Sequence, residues 1–346
     1  MSDIVRVGVA GLGRAGWSLH ALTLEQLPEQ YAVGAVSDPN AERQAEASDR
    51  LGCDTHDDYA DMLADESLGL IVVASPSHLH EDFTVRAAEA GKHVLVEKPF
   101  ATSLDGARRM MDAAASAGVV VTASQNYRYS PDCIKVRDVV ASGVLGEIVQ
   151  IKMQWHRFAR RWDWQTLKEY GGGELNNSGA HVIDQALLLL GDAEPEVACE
   201  RRSTSLYSGD ADNHVKVMLS AAGAPTVDIE ITTNCAYAQD RWLIMGTQGG
   251  LRGSDSKLEW KYFDPSAVPA RPIDREPTPD RSYNSEKLPW VEEVYEAPRE
   301  SFGVRNRRLY EDLYPSLVGD APLAITAESV LRQISVLEKC RELAPV

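Results

Sequence analysis

The segment Val7-Gly8-Val9-Ala10-Gly11-Leu12-Gly13-Arg14-Ala15-Gly16 lies near the start of the chain and contains the spacing Gly-x-Gly-x-x-Gly. An apolar run precedes the glycines and a helical pattern follows them, so the turn joins a strand to a helix. In such a turn Gly11 permits the sharp bend, Gly13 lets the backbone approach a pyrophosphate, and Gly16 lets the helix pack closely on the strand. The helix N-terminus then faces the phosphates. This context favours a dinucleotide site over a glycine-rich turn that binds no nucleotide.

A carboxylate at the end of the next apolar run supports the same interpretation. Asp38 follows residues 31–37 and lies 22 residues after Gly16, where an acidic side chain accepts hydrogen bonds from the adenosine ribose. A carboxylate there repels a 2′-phosphate, and residues 37–40 contain no Arg or Lys, with Arg14 and Arg43 the nearest basic residues. We therefore predict NAD, rather than NADP, as the cofactor.

Short apolar runs alternate with helical patterns over the first 125 residues. The runs lie at 4–9, 31–37, 70–74, 93–96 and 119–122, and the helical patterns at 14–27, 41–51, 78–90 and 104–117. Alternation of this kind is typical of βαβ units with a parallel sheet covered on both faces. It predicts an α/β Rossmann domain over residues 1–125.

The pattern changes in the remainder of the chain. Strands are predicted at 148–155, 215–220, 227–234 and 241–245, and helices at 131–141, 178–190, 304–317 and 327–343. Apolar and polar residues alternate over 227–232, as in an antiparallel sheet with one packed face. We predict an α+β domain over residues 126–346, with a long loop at the proline-rich residues 261–300. The final helix, 327–343, is free to pack back on the first domain.

Composition excludes several classes of protein. The chain has 346 residues, with 35 Lys and Arg against 52 Asp and Glu, a net charge of −17. Such a surface repels nucleic acid and anionic membranes. No apolar run approaches the ~20 residues of a membrane-spanning helix, and the first residues do not resemble a signal peptide. The five cysteines are scattered, without a Cys-x-x-Cys pair, so we expect reduced thiols in a cytoplasmic protein.

Two segments carry candidate catalytic groups. Glu97-Lys98-Pro99 follows the strand at 93–96, and ligands bind at the carboxyl ends of such strands. Lys98 can hydrogen-bond a substrate hydroxyl or, if desolvated, act as a base. The alternative is a turn with a solvated charge pair.

The second segment runs from Gly171 to Asp184. Behind three glycines, Asn177, His181 and Asp184 recur at i, i+4 and i+7, which predicts one polar helix face toward a cavity or solvent. The alternative for His181 is a satisfied structural histidine. Asp184 is a candidate to supply negative charge beside it.

A basic and aromatic segment at 155–165 leads into these glycines. Aromatic faces suit the C–H faces of sugars and Arg suits hydroxyl or acidic groups, so we predict that Arg160 and Trp162 border the substrate pocket. The alternative is a packed loop or a subunit contact. His78, His80 and Glu81 lack a further ligand at a suitable spacing, so no metal is expected.

Taken together, the chain resembles the glucose-fructose oxidoreductase, inositol dehydrogenase and MocA family of NAD(P)-dependent oxidoreductases. The resemblance rests on the order and spacing of Gly11-Leu12-Gly13-Arg14-Ala15-Gly16, Val73-Ala74-Ser75-Pro76-Ser77-His78-Leu79-His80, Glu97-Lys98-Pro99, Gln125-Asn126-Tyr127-Arg128-Tyr129-Ser130-Pro131, residues 171–184 and Gly246-Thr247-Gln248-Gly249-Gly250. It implies a Rossmann domain followed by an α+β domain with a large open, mainly antiparallel sheet. Members mostly oxidise or reduce a hydroxyl on a sugar or cyclitol.

The resemblance also implies roles for individual residues. It makes Lys98 the active-site lysine and His181 the catalytic histidine, with Asn177 where many members have aspartate. An amide at 177 cannot act as a base or raise the pKa of a neighbouring histidine. The expected cofactor contacts are Gly11, Leu12, Gly13, Arg14, Ala15, Asp38, Ser75, Pro76, His78, Glu97, Lys98 and Asn126. The expected substrate contacts are Lys98, Arg128, Arg160, Trp162, Asn177 and His181.

These observations predict an NAD-dependent oxidoreductase acting on a sugar, sugar derivative or cyclitol, and assembled as a homodimer or homotetramer. One alternative is a glycoside-cleaving enzyme whose tightly bound NAD is recycled through oxidation, elimination and reduction. Another is a non-catalytic NAD-binding regulator, although a binding module needs neither Lys98 nor His181.

Overall fold

The protein is described from a computed structural model that covers residues 4–276, 278, 281–301 and 303–346. Six strands form the first sheet: β1 (Val5–Ala10), β2 (Tyr31–Ser37), β3 (Asp54–His56), β4 (Leu70–Val73), β5 (His93–Val96) and β6 (Val121–Ala123). They are all parallel, in the order β3-β2-β1-β4-β5-β6. The carboxyl ends of β1, β4 and β5 therefore meet at one edge, as in a Rossmann fold.

Helices follow these strands. They are a π-helix (Ala15–Ala21) continued by α1 (Leu22–Leu24), then α2 (Ala41–Leu51), α3 (Tyr59–Leu63), α4 (His80–Glu89) and α5 (Leu104–Ala117). The limits of α2 and α5 follow local chemistry. Asn40 and Ser103 cap their first backbone N–H groups, and Gly52 and Gly118 end them in the left-handed conformation.

The second sheet contains eight strands. These are β7 (Ile148–His156), β8 (Glu196–Arg202), β9 (His214–Ser220), β10 (Thr226–Thr232), β11 (Trp242–Gly246), β12 (Gly249–Gly253), β13 (Lys257–Tyr262) and β14 (Val291–Glu296). The order is β14-β13-β12-β11-β7-β10-β9-β8, and among the described strands of this second sheet only β7 and β10 pair in parallel. The predicted Rossmann sheet with a large, mainly antiparallel second sheet is confirmed.

The prediction of one long loop over 261–300 is wrong at both ends. β13 continues to Tyr262, and β14 forms the edge of the second sheet. β14 reads Val-Glu-Glu-Val-Tyr-Glu and is exposed on both faces, so it lacks the apolar alternation that indicates a half-buried strand. Residues 277, 279 and 280 of this segment lie outside the described residues.

The remaining helices link the two sheets. They are α6 (Pro131–Ala141), α7 (Glu174–Asn177), α8 (Gly179–Leu190), α9 (Val304–Val318) and α10 (Ala327–Leu343). α10 packs against α5, where the Leu104 N–H donates to Glu338 at 3.1 Å, and it also contacts α8 and β8. Within the described residues, no helix combines the length and the apolar composition that crossing a bilayer requires.

Candidate active site

One large cavity, of about 1140 Å³, lies between the two sheets. At one end its walls include the glycine-rich turn and the residues that follow β2 and β4. At the other end they include Lys98 after β5, α7, the first turn of α8 and the segment after β7. The cavity thus joins the predicted dinucleotide site to the predicted catalytic residues.

The glycine-rich turn forms a cradle for a dinucleotide. Gly11 has a φ of +93°, and a Cβ atom added to Gly16 would lie 1.7 Å from the Gly11 carbonyl oxygen. Gly13, in contrast, has no atom within 4 Å of the position that its Cβ would take. Ser75 adds a buried hydroxyl that has no hydrogen-bond partner among the described residues. Close packing behind the turn and open space in front of it fit a bound pyrophosphate.

Asp38 is buried at the end of the cavity that the glycine-rich turn lines, and other groups of the chain already hold it in place. Its carboxylate accepts hydrogen bonds from the backbone N–H groups of Leu12, at 2.6 Å, and Asn40, at 2.9 Å. The half-exposed guanidinium of Arg43 lies 3.4 Å from the same carboxylate. Asp38 therefore faces the cavity and also holds the glycine-rich turn through the Leu12 N–H. The guanidinium of Arg43 is the cation beside it.

Lys98 reaches across the cavity to α7. Its Nζ donates to the side-chain oxygen of Asn177 at 2.7 Å, so Asn177 positions Lys98. Burial lowers the pKa of the Lys98 ammonium, and the nearby charges of Arg14 and Arg161 add to this. The carboxylates of Glu97 and Glu174 act in the opposite direction.

His181 lies on the first turn of α8 and is 7% exposed. Its ring lies 4.3 Å from the ring of Tyr127, tilted by 38° to it, and its Nδ1 atom has no hydrogen-bond partner among the described residues. Burial, and then the charge of Lys98, hold the pKa of His181 well below its ordinary value. The ring is therefore neutral at neutral pH.

The predicted polar face of this helix is wrong at Asp184. Asp184 is buried in an ion pair with Arg128, whose guanidinium donates to its two carboxylate oxygens at 2.6 and 2.8 Å. It lies outside the cavity and cannot supply the negative charge that Asn177 lacks. The same pairing removes Arg128 from the predicted substrate contacts.

A buried network behind Lys98 was missed by the sequence reasoning. His20, on the π-helix, lies 3.0 Å from Glu97 through Nε2 and 2.7 Å from the Tyr310 hydroxyl through Nδ1. Burial would raise the pKa of Glu97, but the His20 hydrogen bond and charge, together with Lys98, hold it at about 2. The ionised Glu97 also accepts a hydrogen bond from the Lys98 backbone N–H at 3.1 Å. No spacing in the sequence indicates this network.

Most of the other predicted site residues line the cavity. Those that do are Gly11, Gly13, Arg14, Ala15, Asp38, Ser75, Pro76, Glu97, Lys98, Asn126, Asn177 and His181. The Leu12 side chain is buried in the core, and only its N–H takes part, through Asp38. His78 is exposed outside the cavity because the 3₁₀ turn Ser77–Leu79 directs it outward. His80 lines the cavity instead, with ring nitrogens 2.8 Å from the Pro99 oxygen and 3.0 Å from the Ser75 oxygen.

Segment 155–165 borders the cavity, but through different residues from those predicted. Arg160 is exposed outside it and Trp162 is 79% exposed, so their predicted substrate contacts are not supported. Arg157 and Arg161 turn inward because they pair with the buried Glu174, at 2.5 and 3.8 Å. The inward-facing members of the segment are Trp155, Arg157, Arg161, Asp163, Trp164 and Gln165.

Comparison with known proteins supports this arrangement. Residues 5–125 match a family model described as "Oxidoreductase family, NAD-binding Rossmann fold", and residues 133–252 match the "GFO/IDH/MocA C-terminal domain". Inositol 2-dehydrogenase 1 of Saccharopolyspora erythraea is 33% identical over 68% of this chain and 69% of its own length. Levoglucosan dehydrogenase of Pseudarthrobacter phenanthrenivorans is 26% identical over 71% and 73%.

A solved structure shares the fold over nearly the whole chain. It is the WlbA dehydrogenase from Bordetella pertussis in complex with NADH and UDP-GlcNAcA, with a TM-score of 0.79, 21% identity, and coverage of 99% of this chain and 96% of that one. The two family models and the 33% identity to an inositol dehydrogenase show that the chain belongs to the GFO/IDH/MocA family of oxidoreductases, with an NAD-binding Rossmann fold.

Proposed function

We propose that the protein is an NAD-dependent dehydrogenase acting on a carbinol of a sugar, sugar derivative or cyclitol. The observation that carries this proposal is the placement of Lys98, held by Asn177, and of His181 in the same cavity as the glycine-rich turn. The turn, Asp38 and Ser75 would hold the dinucleotide. When bound, its nicotinamide ring supplies the hydride acceptor or donor.

The residues of the chain then handle the proton. Because burial lowers the pKa of Lys98, the side chain loses its proton more readily than a free lysine and, as the amine, can accept one from the substrate hydroxyl. His181, kept neutral, serves as a hydrogen-bond partner that orients this hydroxyl. Asn177 holds the Lys98 side chain in one direction. Glu97 fixes the Lys98 backbone from the opposite side.

The names of the relatives favour this function over the two alternatives. The direct test follows the near-ultraviolet absorbance of reduced nicotinamide in a screen of sugars and polyols, with NAD and NADP in parallel. Turnover with NAD supports the proposal. A panel without turnover, in which ligands still raise the melting temperature, would instead indicate a regulator. NAD that survives gel filtration, together with activity that needs none added, would indicate redox-neutral cleavage.

The preference for NAD depends on Asp38. Loss of its hydrogen bonds to the adenosine ribose costs on the order of 2–4 kcal/mol, so Asp38→Ala should weaken NAD strongly and NADP little. Asp38→Ala also removes the acceptor of the Leu12 N–H and so disturbs the glycine-rich turn. Arg43→Ala is the matched control, because it changes the charge beside Asp38 and leaves that hydrogen bond in place. It should weaken NADP more than NAD. An unchanged ratio of kcat/KM for the two cofactors in Asp38→Ala would refute the role of Asp38.

A further inference from the structure

Arg305 is a cation at the catalytic end of the cavity that the proposed proton transfer does not use. It lies on the first turn of α9, is half-buried and lines the cavity. Its guanidinium carbon lies 4.1 Å from the centroid of the Tyr127 ring, the same ring whose centroid is 4.3 Å from that of His181. Arg305 and His181 are therefore close enough to contact one small molecule.

The neighbouring arginines are neutralised by carboxylates, whereas Arg305 is not. Arg157 pairs with Glu174 at 2.5 Å and Arg161 with Asp163 at 2.8 Å. Across the described part of the chain, the Arg305 guanidinium has no ion pair and donates no hydrogen bond. A guanidinium carries five N–H donors, and a half-buried one without an acceptor loses hydration that nothing in the protein replaces. This end of the cavity thus carries uncompensated positive charge in a chain of net charge −17.

His181 gives an independent indication that a polar ligand completes this region. Its side chain is 93% removed from solvent, lines the cavity, and leaves Nδ1 without a partner among the described residues. Buried polar atoms in native proteins are rarely left unpaired without a functional reason. Two polar groups that contact Tyr127 therefore remain available to a ligand.

We propose that Arg305 binds a carboxylate of the substrate, so that the substrate is a sugar acid, such as a uronic or aldonic acid, and not a neutral sugar. This inference rests on the proposed dehydrogenase function. A guanidinium fork matches the two oxygens of a carboxylate, and the contact with the Tyr127 ring holds the guanidinium at this end of the cavity. One unpaired cation balances one negative charge, whereas a phosphate dianion would keep an uncompensated charge.

The test compares matched substrates in the presence of NAD. The panel contains hexuronates and aldonates, the parent hexoses and inositols, and hexose 6-phosphates. We expect a carboxylate member to be the best substrate. Arg305→Met should lower its kcat/KM by roughly 10- to 100-fold, mainly through KM, the scale of lost charge-assisted hydrogen bonds. Arg305→Lys should recover part of this loss. Arg307→Met is the control on the same helix, because Arg307 is exposed and pairs with Glu311.

Several results would overturn the assignment while leaving the dehydrogenase function intact. They are a neutral substrate used as well as its carboxylate counterpart, a preference for the phosphate esters, or an unchanged KM in Arg305→Met. Turnover of no member would instead contradict the proposed function. In that case, thermal denaturation in the presence of NAD and D-glucuronate tests whether Arg305 binds a carboxylate. Stabilisation of the wild type that is lost in Arg305→Met supports the site, and equal behaviour of the two proteins rejects it.

Discussion

Lys98 lies among charges of both signs, and their balance with burial sets its chemistry. Glu97 and Glu174 favour the ammonium form, while Arg14 and Arg161 oppose it. Burial is the largest effect, so the pKa of Lys98 falls below that of a free lysine. A lysine in this position can cycle between amine and ammonium, which a general acid–base group needs.

The first prediction concerns which residue is more important for turnover. Lys98→Met should lower kcat by about 10²–10⁴-fold, because it removes the group that exchanges the proton. His181→Ala should lower kcat less, because a neutral His181 only orients the hydroxyl. Cofactor binding, measured by quenching of protein fluorescence, should be preserved in both variants. Near-native turnover in Lys98→Met, with activity abolished in His181→Ala, would reverse the two roles.

The second prediction concerns the pH dependence of oxidation. Asn177→Asp places a carboxylate against Lys98 Nζ, where the amide oxygen now lies at 2.7 Å. A negative charge at this position stabilises the ammonium and raises the Lys98 pKa. Since oxidation needs the neutral amine, the rising limb of the pH–rate profile should move to higher pH, with activity retained. Asn176→Asp is the control, because Asn176 contacts Arg341 and not Lys98. An equal shift in both variants would argue against a specific Lys98–Asn177 contact.

At the scale of elements, three segments that are distant in sequence meet behind the cofactor site. The π-helix supplies His20, Glu97 directly follows β5, and α9 supplies Tyr310. The ionised Glu97 can only accept, so His20 Nε2 donates to it, while His20 Nδ1 forms a hydrogen bond with the Tyr310 hydroxyl. Burial raises the pKa of Tyr310 and keeps that hydroxyl protonated. Every member of the network is thereby satisfied.

The third prediction is that His20→Ala destabilises the protein by about 3 kcal/mol, because it leaves a buried carboxylate without its partner. Urea unfolding at neutral pH measures this change. The pKa of Glu97 is about 2 in the fold against 4.5 ordinarily, so its contribution is complete above pH 4.5 and is lost as the pH falls toward 2. The difference between variant and wild type should shrink over the same range. His78→Ala, at an exposed site, should change the free energy of unfolding little. A loss of stability there equal to that of His20→Ala would argue against a specific role of the His20–Glu97 pair.

The same elements show what the sequence could predict. The limits of β2, β5, α2 and α5 agree with the prediction. The two strands are continuous apolar runs, and the two helices each have a capping side chain at the start and a glycine at the end. Five strands were not predicted: β3, β8, β12, β13 and β14. The three-residue β3 and the exposed β14 show the reason, because short or exposed strands need little apolar sequence and are defined by their neighbours.

At the scale of the whole molecule, some residues of the site could be predicted from the sequence and others could not, as with the strands and helices. The glycine-rich turn, Asp38 and Lys98 could be predicted because each is fixed by a strand end beside it in the sequence. The Arg128–Asp184 pair could not, because its partners are 56 residues apart, and His20 and Tyr310 are 290 apart. Which polar residue faces a cavity depends on such distant pairings. A helical spacing alone therefore assigned Asp184 to the wrong surface.

The second sheet presents a face that bears on assembly. Along β10, Val227, Ile229 and Ile231 are buried, while Asp228 and Glu230 on the other face pair with Lys216 of β9. Exposed methionines lie on this outer face, Met218 on β9 and Met245 on β11. The face thus combines apolar side chains with charges of both signs, which a two-fold axis can place against their complements.

The last prediction follows from that face. We expect a homodimer or homotetramer assembled through it, with a mass above that of the monomer by light scattering at micromolar concentration. Met218→Asp should reduce the mass to that of the monomer, because it buries a charge without a partner at the centre of the contact. Leu343→Asp, on an exposed apolar residue at the end of α10, is the matched control and should leave the assembly intact. A monomeric wild type, or dissociation by Leu343→Asp alone, would assign the outer face to solvent, and its two methionines would then be ordinary exposed residues.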